Sequence, residues 1–344
     1  MEKRLEHKEV ENKPERSRDS ALLQLPPELL LLIWEELPRV NQAVLSQTCR
    51  ALYVLLSHDS ATACFSENIY LEYLATMARD LPGRWVCEAC LQTHPINELD
   101  TPRTIKHCSC PLGLDRWRRQ SYGKAYKLDS RLLTIDHRHI QTALKYTRLK
   151  PPNTEDHLQR LLAPHCNRNF ITHHYPFNRS SILNVRYSVF PKIVRGRDGN
   201  LRFLTLSTFL YHKINRRLTV QSMGQLRICP HLDITLGYRF APPCALDCLG
   251  MSIRILLEDG DFSHISGCCP RCPTDFKVEA SEERVLLCVW QDLGPECSPM
   301  DLAWRAHVSD YRLLTGGPNI RFRGPCLPHA EGSIRRLYSR GTDL

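Results

Sequence analysis

Ten of the sixteen cysteines of this 344-residue chain are clustered: four fall between Cys87 and Cys110 and six between Cys229 and Cys272. Cysteines this close together draw distant loops around shared bridges or shared metal ions, and the compartment decides between the two. The first twenty residues, MEKRLEHKEVENKPERSRDS, mix both charge signs and contain no apolar stretch, so no secretory signal is expected. A reducing location, cytoplasmic or nuclear, follows as the expectation, and thiols there stay reduced or bind metal. The sequon Asn178-Arg179-Ser180 then has no glycan to accept. No window approaches 18 consecutive apolar residues, so no membrane span is expected either.

Spacing points to zinc. Cys87-Glu88-Ala89-Cys90, followed by Cys108-Ser109-Cys110, supplies four thiols in two close pairs, the pattern with which two turns build a tetrahedral site. The second pair has a single intervening residue, so His107 or His94 can replace one thiol as ligand. Four protein ligands leave no open position, which makes the role structural. A RING domain needs eight ligands, and no further pair occurs before Cys166. In the second group, Cys229-Pro230-His231 and Cys269-Pro270-Arg271-Cys272 offer a Cys₃His set, with Cys244 and Cys248 as alternative partners. Thioredoxin-type chemistry at Cys269-x-x-Cys272 would need a strand-to-helix context, whereas Thr274–Val278 reads as a strand. One or two zinc ions are therefore expected, and the six isolated cysteines read as small buried hydrophobes.

Ahead of these clusters lies a helical stretch. Gln24-Leu25-Pro26-Pro27-Glu28 opens a helix, because proline suits a first turn and an acidic residue suits the positive end of the dipole; Pro38 closes it. Leu25, Leu29, Ile33 and Leu37 recur every four residues, and Leu30, Trp34 and Leu37 form an adjoining stripe. A second helix is expected from Asn41 as N-cap through Val44, Leu45 and Thr48 to Cys49, and a third carries Leu52, Leu55 and Leu56. Helices this short are not stable alone, so they must pack on one another or on another chain.

The string Leu25-Pro26-x-Glu28-Leu29-x-x-x-Ile33-x-x-x-Leu37, followed by Leu45-x-x-x-Cys49-Arg50-x-Leu52, resembles the F-box, which begins with the same Leu-Pro pair and carries the same later Cys-Arg. The resemblance covers residues 21–66. It implies three short helices that dock on the Skp-type adaptor of a cullin–RING (SCF) ubiquitin ligase, with Leu25, Pro26, Leu29, Ile33, Leu37, Leu45 and Cys49 as contact residues. Later features are similar to a family of fungal F-box proteins: Trp85-Val86-Cys87 through Leu91, His94-Pro95, Pro102-Arg103, Cys269-Pro270-Arg271-Cys272-Pro273-Thr274-Asp275-Phe276, Trp290-Gln291-Asp292-Leu293-Gly294 and Asp301-x-x-Trp304. Where that family often has a second Cys-x-x-Cys, this chain has Cys108-x-Cys110.

The net charge of +9 hides an asymmetry: residues 1–100 sum to −6, residues 101–227 to +18 and residues 228–344 to −3. A basic middle could attract nucleic acid, which is the alternative reading, a zinc-stabilised nucleic-acid-binding protein. No nucleic-acid motif accompanies it, so a surface that balances the acidic ends is the expectation. Tyr187–Ile193 and Leu201–Phe209 flank Gly196-Arg197-Asp198-Gly199-Asn200 and predict a hairpin; Phe276–Val278 and Val285–Trp290 predict another, and Met251–Leu257 a further strand. Trp290 and Trp304 read as core residues, while His137-x-His139 and His173-His174 read as exposed polar groups. No phosphate loop, nucleophile elbow or metalloprotease motif occurs, which argues against an enzyme.

The expected fold is α+β: a charged tail over 1–20, a three-helix F-box over 21–66, a cysteine-rich zinc segment over 84–113, and an irregular mixed region with β-hairpins over 114–344. The expected role is a non-catalytic subunit that holds a Skp-type adaptor, and through it a cullin, and presents an unknown protein substrate.

Overall fold

The structure, a computed structural model, describes residues 21–56, 65–104, 110, 132–171, 184–212, 218–224, 226–234, 248–258, 264–281, 283–308 and 325–340. The tail over 1–20, Cys108, His107, Cys244 and the His173-His174 pair lie outside the described residues. The chain divides into two units, residues 1–66 and 67–344, so the cysteine-rich segment shares a unit with everything that follows it.

In the first unit, helices α1 (Pro27–Glu36), α2 (Arg39–Ser46) and α3 (Arg50–Leu56) follow one another with hardly a connecting residue. Pro27 sits in the first turn of α1, and the Leu37 amide closes it on the Trp34 carbonyl at 3.1 Å. Helix α2 starts earlier than the Asn41 cap predicts: Pro38 takes the N-cap, and its fixed φ of −54° to −55°, shared with Pro26, lets each helix begin directly after a proline. Thr48 and Cys49 fall in the turn after α2. Among the described residues Leu30, Leu52 and Leu56 form a small buried core, with Leu25, Trp34, Leu45 and Cys49 packed against it.

The second unit is mixed helix and sheet. Its centre is a six-stranded antiparallel sheet ordered β3 (His165–Ile171), β4 (Asn184–Arg195), β5 (Leu201–His212), β10 (Arg284–Pro295), β9 (Thr274–Ala280) and β8 (His264–Cys268). This is more regular than the expected region of hairpins. Two three-stranded meanders are joined where β5 pairs β10, from Leu204↔Asp292 to His212↔Arg284. The β4–β5 turn is the predicted one: Gly199 takes φ +78°, and the Gly196 amide bonds the Asn200 carbonyl at 2.8 Å.

Met251–Leu257, predicted as a strand, is instead part of helix α8 (Cys248–Glu258). Leu249, Ile253 and Leu256 are buried at helical spacing, and short apolar runs do not distinguish strand from helix without that period.

Helices cover both sheet faces. On one face, α5 (His137–Leu149), α6 (Glu155–Leu161) and α9 (Leu302–Val308) bury Ile140, Leu144, Leu161 and Trp304 against Ile193, Phe203 and Leu293. Further along that face, α8 and the hairpin of β6 (Arg227–Cys229) and β7 (Leu232–Asp233) pack on Tyr187, Phe209, Leu287 and Val289. On the other face, α10 (Ser333–Ser339) sets Ile334 against Val194, Leu204 and Trp290. Trp290 and Trp304 are core residues, as expected.

Candidate functional site

The first cysteine group is built on a small hairpin, β1 (Arg84–Cys87) and β2 (Gln92–Pro95). Cys87 ends β1, Cys90 lies in the turn, and Leu91, at φ +55°, closes it by donating its amide to the Cys87 carbonyl at 3.1 Å. That turn places His94 of β2 beside them, and Cys110 packs against the same hairpin, so the ligand atoms of Cys87, Cys90, His94 and Cys110 all lie within 4.8 Å of one another. The two sulfurs of Cys87 and Cys110 are 3.7 Å apart, and Cys90 Sγ is 2.9 Å from His94 Nε2. Zinc–sulfur bonds of about 2.3 Å at a tetrahedral angle set sulfurs about 3.8 Å apart, which the Cys87–Cys110 pair matches, whereas a zinc-bound sulfur and nitrogen lie about 3.6 Å apart, so Cys90 and His94 stand closer, at direct hydrogen-bond distance, and would separate to admit an ion.

Burial pushes the Cys87 and Cys90 thiols up, and burial with Arg84 pushes the His94 imidazole down, so all three favour neutral forms unless a cation stabilises the thiolates. Among the described residues the fourth donor is His94, one of the two histidines the spacing allowed in place of a thiol.

The second group brings together the Cys229, His231, Cys269 and Cys272 expected from spacing, again within 4.8 Å. Cys229 and His231 come from the β6–β7 hairpin, and the two others from the turn between β8 and β9. His231 Nδ1 lies 3.4 Å from Cys269 Sγ and 4.0 Å from Cys229 Sγ, bracketing the sulfur–nitrogen separation of about 3.6 Å that a tetrahedral zinc requires. The Arg271 amide points at Cys269 Sγ at 3.4 Å. Hydrogen bonds from Cys229 and Cys272, with His231 behind them, pull the Cys269 thiol well down, while burial pushes Cys229 and Cys272 up.

A supporting chain lies behind it: Cys272 Sγ meets Thr274 Oγ1 at 3.2 Å, Thr274 Oγ1 meets His307 Nε2 at 3.1 Å, and His307 Nδ1 meets the Ala303 carbonyl at 2.7 Å. A carbonyl only accepts, so the proton of neutral His307 sits on Nδ1 and Nε2 accepts from Thr274. Spacing alone gave no sign of Thr274 or His307.

A third group, Cys268, Asp275 and His329, has a different explanation. Asp275 accepts from the amides of Gly332, Ile334 and Arg335 at 2.8–3.0 Å, and from His329 at 3.1 Å. Its carboxylate caps α10 from a neighbouring strand and is held low, against burial, by His329 and those amides.

His137 and His139, expected at the surface, are buried. With Asp100, Asp136, Arg138 and His157 they form a polar knot between α5 and the segment after β2. Asp100 accepts from Arg138 Nε and, at 3.0 Å, from Arg138 Nη2; Asp136 lies 3.2 Å from the same guanidinium. Against burial, His139 and Arg138 hold Asp100 down at about 2. Burial raises Asp136 to about 8 and lowers His137 and His139 to about 3 and about 4. The isolated cysteines also differ from expectation: Cys49 and Cys288 are half-buried, but Cys166, Cys297 and Cys326 are exposed.

Of the seven residues carried over from the F-box resemblance, Leu25, Leu45 and Cys49 pack against the small helical core, and Leu37 is half-buried. Pro26, Leu29 and Ile33 are exposed, and Leu31, Leu32, Tyr53 and Val54 join them.

Fold and sites together define a mixed α+β protein with two Cys/His groups that could hold a metal. No family model, no curated protein and no solved structure matches the chain. Among the described residues no helix is long and apolar enough to cross a membrane.

Proposed function

We propose that the chain is a non-catalytic adaptor of a cullin–RING ubiquitin ligase: the helical unit docks on a Skp-type adaptor, and the larger unit, tied by two structural zinc ions, presents a protein for ubiquitylation. One observation carries this reading. Helix α1 exposes Leu29 at 45 % and Leu32 at 58 %, with Ile33 beside them, and α3 exposes Val54 at 70 %. Adjacent exposed aliphatic side chains on short helices mark a surface that another polypeptide covers. Among the described residues three buried leucines make a small core for three helices, and folds of this size usually depend on a partner. The mechanism is proximity: tethering raises the effective concentration of a substrate lysine near a charged ubiquitin carrier.

Among the described residues of the basic middle segment, five basic side chains are already committed within the chain and are not offered to nucleic acid. Arg138, Lys145, Arg148, Lys192 and Arg202 are all engaged by carboxylates or carbonyls of the same chain.

The test uses the full chain. Leu29→Glu with Ile33→Glu changes exposed positions, so folding should persist, while recovery of a Skp-type adaptor in co-purification should fall at least tenfold, since each apolar anchor contributes roughly 1.5–3 kcal/mol. Undiminished recovery would remove the proposed surface.

A further inference from the structure

The sheet face under the β6–β7 hairpin contains a polar island that packing does not explain. Strand alternation puts Phe203, Thr205, Ser207, Phe209 and Tyr211 of β5 on that face, with Leu287, Val289, Gln291 and Leu293 of β10. Register pairs Thr205 with Gln291, and Ser207 with Val289 on one side and Val189 on the other. Two central strands therefore place three polar side chains in the middle of an otherwise apolar face.

A cavity of about 100 Å³ lies over this island, partly open to solvent. Its floor is the island with Val189, Phe209 and Val289, and one wall is Ile228, Cys229 and Pro230 of the β6–β7 hairpin. Ser207 is engaged by the Tyr187 hydroxyl. Gln291 donates its Nε2 proton to the Ile228 carbonyl at 3.0 Å, which holds the wall in place and orients the amide. Thr205 is 2 % exposed, and its hydroxyl has no partner among the described residues. A buried hydroxyl without a partner is stripped of water with nothing in exchange, whereas valine would fill the same volume at no such cost. Local rules broken in this way mark sites built for something other than stability.

We propose that this cavity is a binding site for a phenol: one six-membered ring bearing a neutral hydroxyl. Size sets the ring, because an apolar cavity of about 150 Å³ takes up benzene and this one is smaller but open on one side. The polar partner sets the substituent. The Thr205 hydroxyl both donates and accepts, which matches a group that does the same. A tyrosine side chain of a bound polypeptide and a free small phenol share this chemistry. The inference is independent of the helical surface and of the Skp-type partner.

The experiment titrates the full chain with p-cresol, toluene and p-toluate, followed by ligand-observed NMR. Wild type should bind p-cresol about tenfold more tightly than toluene. Thr205→Val should lose that preference, keep toluene binding, and melt no lower than wild type. Retained toluene binding shows that the cavity is intact in the variant. Displacement of p-cresol by N-acetyltyrosinamide would assign the site to a polypeptide side chain, and its failure to displace would assign it to a free phenol. The proposal is overturned if wild type binds neither ring, if the preference survives in Thr205→Val, or if p-toluate binds as tightly as p-cresol. The last result would place an anion at Arg227, which also lines the cavity.

Discussion

His137 and His139 are neutral imidazoles enclosed by protein, and each takes up a proton less readily than it does in the unfolded chain. Their folded values, about 3 and about 4, lie below the ordinary 6.5, so the unfolded state binds more protons in between. The stability they contribute is complete above pH 6.5 and is lost as pH falls toward 4 and then 3. Asp136 has the opposite sign: raised to about 8 by burial, it contributes stability that is complete below its ordinary value of 3.8 and lost as pH rises toward 8. His137→Phe keeps an aromatic ring against Trp304, whose centroid is 5.2 Å away, and removes one of these protons. Urea unfolding should show the variant losing less stability than wild type between pH 6 and 4, by up to about 1.4 kcal/mol per pH unit. Parallel curves would mean that His137 does not titrate on unfolding. Nothing in the spacing of His137-x-His139 revealed this burial, because the groups that enclose the pair, Asp100 and Trp304, are distant in sequence. The Cys/His groups that could hold a metal were legible for the reverse reason: Cys87-x-x-Cys90 and Cys269-x-x-Cys272 are local turns, and the hairpin register brings His94, one of the alternatives the spacing left open, beside the first.

Among the elements, α5 acts as a latch on the cysteine-bearing hairpin. Gln141 pairs with Val86 as a strand would, accepting its amide at 3.0 Å and donating to its carbonyl at 3.1 Å. Lys145 donates to the carbonyls of Ala78, Leu81 and Arg84 at 2.6–3.1 Å, so one ammonium group closes the end of helix α4 (Glu67–Ala78) and the entry to β1. Burial lowers Lys145 to about 8, yet its three protons match three acceptors. Lys145→Met would keep the side-chain bulk but leave those carbonyls unpaired, at a cost of about 2–4 kcal/mol. Calorimetry should show a fall of about 5–10 °C in Tm, while Lys150→Met, at an exposed position just past the same helix, should change little. An unshifted Lys145→Met would mean that water replaces the ammonium without loss. This latch was invisible in sequence because its partners lie some sixty residues upstream. The hairpins at Gly196–Asn200 and Glu279–Arg284 were legible, since each is closed by its own turn. The union of β5 with β10 was not, because no local signal couples segments separated by the whole of α8 and its flanks.

At the scale of the molecule, the two Cys/His groups do different work within one unit. The first fastens a peripheral hairpin whose small core is Trp85, Cys87, Ala89 and Cys110. The second joins the β6–β7 hairpin to the β8–β9 turn, and Cys229 lies both in that group and in the wall of the cavity over Thr205. Elemental analysis of protein purified without added zinc should therefore find about two equivalents, falling to about one in either Cys90→Ser or Cys272→Ser. Removing a ligand from the second group frees the hairpin that carries Ile228, whose carbonyl anchors Gln291, so Cys272→Ser should weaken p-cresol binding about tenfold or more. Cys90→Ser, which would remove the ion expected at the other hairpin, should leave p-cresol affinity within about twofold of wild type, because non-neighbouring sites act nearly additively. Equal weakening by both variants would mean that metal acts on the fold as a whole, and weakening by neither would separate the cavity wall from the metal.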